Sequence, residues 1–182
     1  EKGVDVSLIR CGEGANGHAI IQVDASGQNC IILYGGTNRQ ITQDYADEVL
    51  SHFAAGDVLV LQNEINNMPY IMKKAHERGL RIAFNAAPYG QEVLSYPLET
   101  VTWLIVNEVE GAGLSGKTDY EEIAAALAEK YGADTRKARV AALLHDSTKR
   151  LSLDEQLALC EYYHIELDAM ERTTLKLLHA KT

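Results

Sequence analysis

Three short apolar runs, DVLVLQ (57–62), RIAFN (81–85) and VTWLIVN (101–107), constrain this chain more than any other feature. Each is strand-length, and consecutive runs are separated by enough residues for a crossover. Parallel strands need a connection of about a dozen residues or more, usually a helix, whereas antiparallel neighbours can share a tight turn. Helical patterns flank the runs. DYADEVLSHFAAG (44–56) and NMPYIMKKAHERG (67–79) close on Gly56 and Gly79, where a left-handed C-cap is common. The spacing therefore predicts two βα units feeding a parallel sheet with strands at 57–62, 81–85 and 101–106. Ahead of them, HAIIQVDASGQNCIILY alternates and turns at Ser26-Gly27, which predicts a β-hairpin over residues 19–34 that projects from that sheet.

Beyond Lys117 the texture changes and strand candidates stop. TDYEEIAAALAEKYG, DTRKARVAALLHDSTKR, SLDEQLALCEYYH and LDAMERTTLKLLHA read as amphipathic helices, with Thr118, Asp134, Ser152 and Asp168 as N-caps. The expected fold is thus an α/β segment over 1–118 followed by an all-helical segment over 119–182, the helix 119–131 being shared by both. With 182 residues and 46% hydrophobic content, the chain can bury a real core. A net charge of −9 without a dense Lys/Arg run argues against a nucleic-acid partner, which needs a basic face. No apolar run nears the roughly 20 residues of a membrane helix. The amino end EKGVDVSLIR has no basic start followed by an apolar core. A cytoplasmic setting and a small-molecule ligand are the expectation. Cys11, Cys30 and Cys160 form no paired motif and are expected as ordinary, mainly buried thiols.

The stretch NEVEGAGLSGKT (107–118) carries the glycine, lysine and threonine spacing of a phosphate-cradling loop. Such a loop places its first glycine directly after a strand, so that backbone N–H groups wrap phosphate. Here Glu108, Val109 and Glu110 intervene and set carboxylates beside the anion. Thr118 is better used as the N-cap of a capping box with Glu121. The loop reading is rejected on these grounds.

The succession GDVLVLQNEI, RIAFNAAP, VTWLIVNEVEGAGLSGKT resembles the middle of ribokinase-family (PfkB-type) carbohydrate kinases, with their "QLE", "NPAP" and "PNETEAxxLTG" segments in this order. GVDVSLIRCGEGANGHAIIQVDASGQNCIILYGGTN is similar to the lid segment of the same family, so the resemblance spans about residues 1–120. It implies a three-layer ribokinase-like sheet with a β-hairpin lid. It also implies that Glu64 and Asn85 face a sugar or nucleoside, and that Asn107 and Glu110 approach the phosphates and magnesium of ATP. Polar groups at the carboxyl ends of parallel strands suit that role, because ligands of open α/β sheets bind in the crevice there. The lid implies a homodimer through residues 19–38. The family's "GAGD" helix start, which supplies the anion hole and the Asp base, does not occur; GAG at 111–113 is followed by Leu114. The resemblance therefore implies an incomplete sugar kinase with little or no activity.

EKYGADTRKARVAALLHDSTKRLSLDEQLALCEYYHIELDAMERTTLKLLHAKT (129–182) resembles the HD-domain phosphohydrolases that split dinucleoside tetraphosphates. That implies His145 and Asp146 as adjacent ligands of iron or another divalent metal, with His179 in support and Lys149 toward phosphate. The helix 119–131 lacks the family's first histidine, so retention of metal is not expected. Two alternatives accompany the kinase reading: a metal-dependent phosphohydrolase, and a catalytically silent scaffold. Each resemblance breaks off where the other begins, which makes a chimera of two incomplete domains the expected organisation.

Overall fold

In a computed structural model, residues 3–23, 29–144 and 151–167 are described, and the chain divides into two units, Glu1–Leu114 and Ser115–Thr182. The first unit contains both of its sheets. Strands β1 (His18–Val23) and β2 (Asn29–Tyr34) pair antiparallel, from His18 opposite Tyr34 to Val23 opposite Asn29. Strands β3 (Val58–Gln62), β4 (Arg81–Asn85) and β5 (Trp103–Ile105) form a separate parallel sheet in the order β3-β4-β5. The expected hairpin and parallel sheet are both present. The turn residues Ser26 and Gly27 lie outside the described residues.

Register explains which side of the parallel sheet is buried. Leu59 pairs with Ile82, and Leu61 with Phe84, which in turn pairs with Leu104. Side chains two apart in a strand share a face, so Ile82 and Phe84 point the same way and are fully buried. Helix α2 (Met68–Glu77) supplies the cover. Its Met68, Ile71, Met72 and Ala75 recur at the three- and four-residue spacing of one helix face, and all are buried. Pro69 sits in the first turn, where a missing N–H costs nothing. Gly79 follows at φ +76°, ending the helix with the left-handed residue predicted for it. Val93 and Leu98 from the β4–β5 connection complete the core.

Several expectations need correction, the burial of the thiols among them: Cys11 and Cys30 are exposed, while Cys160 is buried. The β4–β5 crossover is built from 3₁₀ turns at Gln91–Ser95 and Leu98–Thr100 rather than from a helix; Pro88 and Pro97 punctuate that stretch and leave too short a run for one. Helix α1 (Gln43–Ser51) stops at His52, before Gly56, whose φ of +94° belongs to the turn into β3. The three-layer arrangement is only half formed among the described residues. Val58, Val60, Trp103 and Ile105, on the sheet face opposite Ile82 and Phe84, stay exposed, Val60 to 75%. No second helix with an apolar stripe like that of α2 follows β5 in this unit. Only α3 (Glu108–Ser115) does, and it buries Glu110, Gly111 and Leu114.

In the second unit, α4 (Tyr120–Tyr131) packs with α5 (Thr135–Leu144), and α6 (Leu153–Tyr162) follows. Helix α4 runs without a break, buries Ile123, Leu127 and Ala128, and ends at Gly132 with φ +75°. Its N-cap is Asp119, not Thr118: the Asp119 carboxylate accepts from the Glu121 and Glu122 N–H groups at 3.0 and 3.1 Å. Asp134 caps α5 in the same way, accepting from Arg136 and Lys137. At α6, Ser152 and Glu155 exchange backbone N–H groups in a full capping box. Those two caps match the sequence reading, while Asp168 lies outside the described residues.

Candidate functional site

The carboxyl ends of β3 and β4 meet the root of the hairpin, and a cleft of about 300 Å³ opens between them. Its wall includes Gly17, His18 and Ala19 at the start of β1, Tyr34 and Gly35 at the end of β2, then Asn38, Arg39, Glu64 and Pro88. Close backbone approach builds this root. Gly36, at φ +51°, lies so near the Ala15 carbonyl that a Cβ would collide with it, and the Thr37 N–H donates to that carbonyl at 3.1 Å. Only glycine satisfies both the left-handed φ and the contact.

Asn63 fixes the position of Glu64. It is 2% exposed, and its side chain saturates itself. Nδ2 donates to the Pro88 carbonyl at 2.8 Å and to Glu92 Oε1 at 3.2 Å, while Oδ1 accepts from the Tyr96 hydroxyl at 2.9 Å. The Asn63 N–H also donates to the Ala87 carbonyl at 2.9 Å, so the ends of β3 and β4 are clamped together. Burial, followed by the nearby Glu92 carboxylate, pushes the Tyr96 hydroxyl above its ordinary range, with Arg39 pulling in the other direction. One residue on, Glu64 is half-buried in the cleft wall, and among the described residues its carboxylate takes no hydrogen bond. A carboxylate there can accept from ligand hydroxyls.

The other expected residues are used differently. Asn85 Oδ1 accepts from the Ala87 N–H at 3.1 Å, holding its own loop, and Asn85 is not part of the cleft wall. Asn107 and Glu110 form a reciprocal cap on α3. The Asn107 N–H donates to Glu110 Oε2 and the Glu110 N–H to Asn107 Oδ1, each at 2.9 Å. Glu110 is buried while Asn107 is exposed. The box occupies one oxygen of each side chain, so the second Glu110 oxygen and the Asn107 amide NH₂ are the groups that a ligand would engage. Tyr89 packs its ring against Gly113 of α3, and its buried hydroxyl has no partner among the described residues. Helix α3 spans 108–115, so the glycines of GAG stand inside a helix and form no phosphate-wrapping loop. His145 and Asp146 lie outside the described residues, as do Lys149 and His179.

His18, Asn38, Arg39 and Asn63 were not singled out from the sequence. Asn38 lies within the quoted GGTN of the lid segment, which was the available signal for it. Arg39 follows immediately but stands alone among neutral residues, and a solitary arginine reads as a solvated surface charge.

No protein-family model matches the chain. It is similar to ribokinases over part of its length. Over 103 residues it is 36% identical to the bifunctional ribokinase/ribose-5-phosphate isomerase A of Fructilactobacillus sanfranciscensis, covering 55% of this chain and 19% of that protein. Over 119 residues it is 32% identical to the ribokinase of Staphylococcus aureus, covering 62% of this chain and 38% of that one. The ribokinase of Cryptococcus neoformans, solved in complex with ADP, superposes with a TM-score of 0.50 at 25% identity, over 69% of this chain and 42% of its own. The chain thus spans well under half the length of the relatives it matches. The α/β fold with its parallel sheet is that of ribokinase-like proteins, and homology to ribokinases holds over part of the chain.

Proposed function

We propose that the first unit is the sugar- and nucleotide-facing part of a ribokinase-type carbohydrate kinase. The observation that carries this reading is the cleft between hairpin root and β3, with a Glu64 carboxylate in its wall that takes no hydrogen bond among the described residues. In this reading Glu64 accepts hydrogen bonds from sugar hydroxyls, the hairpin covers the sugar and keeps water from it, and Asn63 holds Glu64 in place. Asn85 acts indirectly, by shaping the loop that carries Pro88. Asn107 and Glu110 take the nucleotide side. The second Glu110 oxygen is a hard ligand that fits hydrated magnesium, which is held by one or two carboxylates and several waters, and the exposed Asn107 NH₂ can donate to a phosphate oxygen. When bound, magnesium would supply neutralisation of phosphate charge. The partial homology and the ADP bound by the Cryptococcus neoformans protein support a nucleotide there.

Titration calorimetry with D-ribose tests the sugar half. Saturable heat that Glu64→Gln removes supports it; ribose heat unchanged in that variant sinks it. Phosphorylation is expected to stay at background with ribose and ATP, because the 182 residues contain no "GAGD" base segment, and a transition state deprived of its base and anion hole loses most of its positioning. Turnover abolished by Glu64→Ala would overturn that second expectation.

The hairpin supports a homodimer through residues 19–38. Ile20, Ile21, Val23, Ile31, Ile32 and Leu33 are all about half-exposed or more, and an isolated two-stranded ribbon is marginal in water. Light scattering that gives a monomer at high concentration would exclude it. No observation among the described residues favours the phosphohydrolase reading. We expect no stoichiometric iron or manganese in protein purified without chelator, since an incomplete ligand set forfeits most site affinity. One metal per chain, lost in His145→Ala, would revive that reading.

A further inference from the structure

We propose that the cleft takes a sugar bearing a phosphate group, which the Arg39 guanidinium holds, rather than a neutral sugar. This rests on the reading of the Glu64 cleft as the sugar site and names the substrate class for it.

Arg39 is an exposed residue that forms part of the cleft wall. Its stem passes directly over Gly35, where an added Cβ would stand 2.7 Å from Arg39 Cγ and 3.1 Å from Nε. Its Nη1 donates to the carbonyl of Ile65 at 3.3 Å, one residue beyond Glu64. The guanidinium is therefore fastened to the same turn that carries the carboxylate. Among the described residues no carboxylate lies within 4.0 Å of it, and the Ile65 carbonyl is the single hydrogen-bond partner of its five N–H groups. Among the described residues the cleft wall thus holds one arginine and one glutamate that do not pair with each other, and His18 also belongs to the wall. A neutral sugar would use Glu64 and leave the guanidinium facing its hydroxyls. A phosphate ester satisfies both, since arginine presents a planar fork matched to phosphate oxygens. The sugar hydroxyls fall to Glu64 and the oxyanion to Arg39.

Gly35 gives the proposal a handle away from the charge itself. Its φ of −69° and ψ of −36° are ordinary for any residue, so alanine fits the backbone there and acts by displacing the flexible Arg39 stem.

The test is calorimetric titration of the whole chain with D-ribose, D-ribose 5-phosphate and inorganic phosphate. The wild type is expected to bind ribose 5-phosphate at least about tenfold tighter than ribose, the scale of one charge-assisted hydrogen bond. Arg39→Gln, which removes the charge, should abolish that preference. Gly35→Ala should weaken it, and raising the salt concentration should narrow it. Equal affinity for the two sugars in the wild type overturns the proposal, as does a preference that survives Arg39→Gln. Inorganic phosphate binding as tightly as the sugar phosphate, with no dependence on Glu64, also overturns it by showing a bare anion site. Ribose binding lost in Glu64→Gln, without any gain from phosphate, defeats this inference and spares the sugar-site reading. Absence of binding by either sugar defeats both.

Discussion

The two sheets of the first unit are similarly apolar in sequence and opposite in environment. HAIIQV and NCIILY carry as many large aliphatic residues as VLVLQ and RIAFN. In the parallel sheet, register and α2 bring one set of side chains together until Ile82 and Phe84 are sealed from solvent. In the hairpin, no described residue of either strand is buried. Hydrophobic content alone does not decide burial; a covering element at matching spacing does. The parallel sheet acquires one from the chain segment between β3 and β4, which returns over the sheet it leaves. Among the described residues the hairpin has no such segment, and its apolar side chains stay exposed.

That difference should separate sharply in mutants. Phe84→Ala removes a fully buried ring beside Tyr96 and is expected to cost about 3–5 kcal/mol of unfolding free energy. Ile32→Ala in β2, where the side chain is 55% exposed, should change the unfolding of a dilute monomer by no more than about 0.5 kcal/mol. Urea unfolding followed by circular dichroism reads both. If Ile32→Ala costs as much as Phe84→Ala at every protein concentration, the hairpin is packed within its own chain and the contrast fails. If its cost grows with concentration, the contrast sharpens, because part of the hairpin's stability then comes from association.

The sequence revealed the elements better than their junctions. The strands were legible because periodicity and length leave little choice for DVLVLQ or RIAFN. The crossover into β5 was not, since 3₁₀ turns carry no repeating apolar signal. Glu64 was reachable through resemblance, whereas the clamp formed by Asn63 depends on Pro88, Glu92 and Tyr96, which are 25 to 33 residues away. No local pattern encodes such a meeting. The resemblance implies Asn85, Asn107 and Glu110 as ligand groups, yet they also make local backbone contacts; polar residues at strand ends serve either use, and the sequence does not separate them. The start of α4 was ambiguous for a related reason. KTDYEE offers two adjacent capping residues, each with a glutamate three positions on. Asp119 prevails because its carboxylate reaches two N–H groups at once. Asp119→Ala is therefore expected to cost about 1 kcal/mol and Thr118→Ala close to nothing. The reverse order in thermal unfolding of the two variants would restore the sequence-based cap.

The smallest effect tests the clamp itself. Tyr96 donates to Asn63 only while its hydroxyl is neutral, and burial followed by Glu92 raises its pKa above the ordinary value of 10.0, against the pull of Arg39. For an acid raised on folding, the linked stability is fully present below the unfolded pKa and is lost as pH rises through the folded one. The wild type should therefore lose stability above about pH 10 with a contribution from Tyr96. Tyr96→Phe removes that part of the alkaline slope, at the cost of a hydrogen bond at neutral pH. Arg39→Gln should move the Tyr96 titration to still higher pH, because the opposing cation is gone. The chain has nine tyrosines, so the readout is the difference in tyrosinate absorbance between each background and its Tyr96→Phe counterpart. A downward shift in the Arg39→Gln background would mean that Arg39 does not face Tyr96, and the guanidinium would then stand farther from the β3 end than the cleft requires.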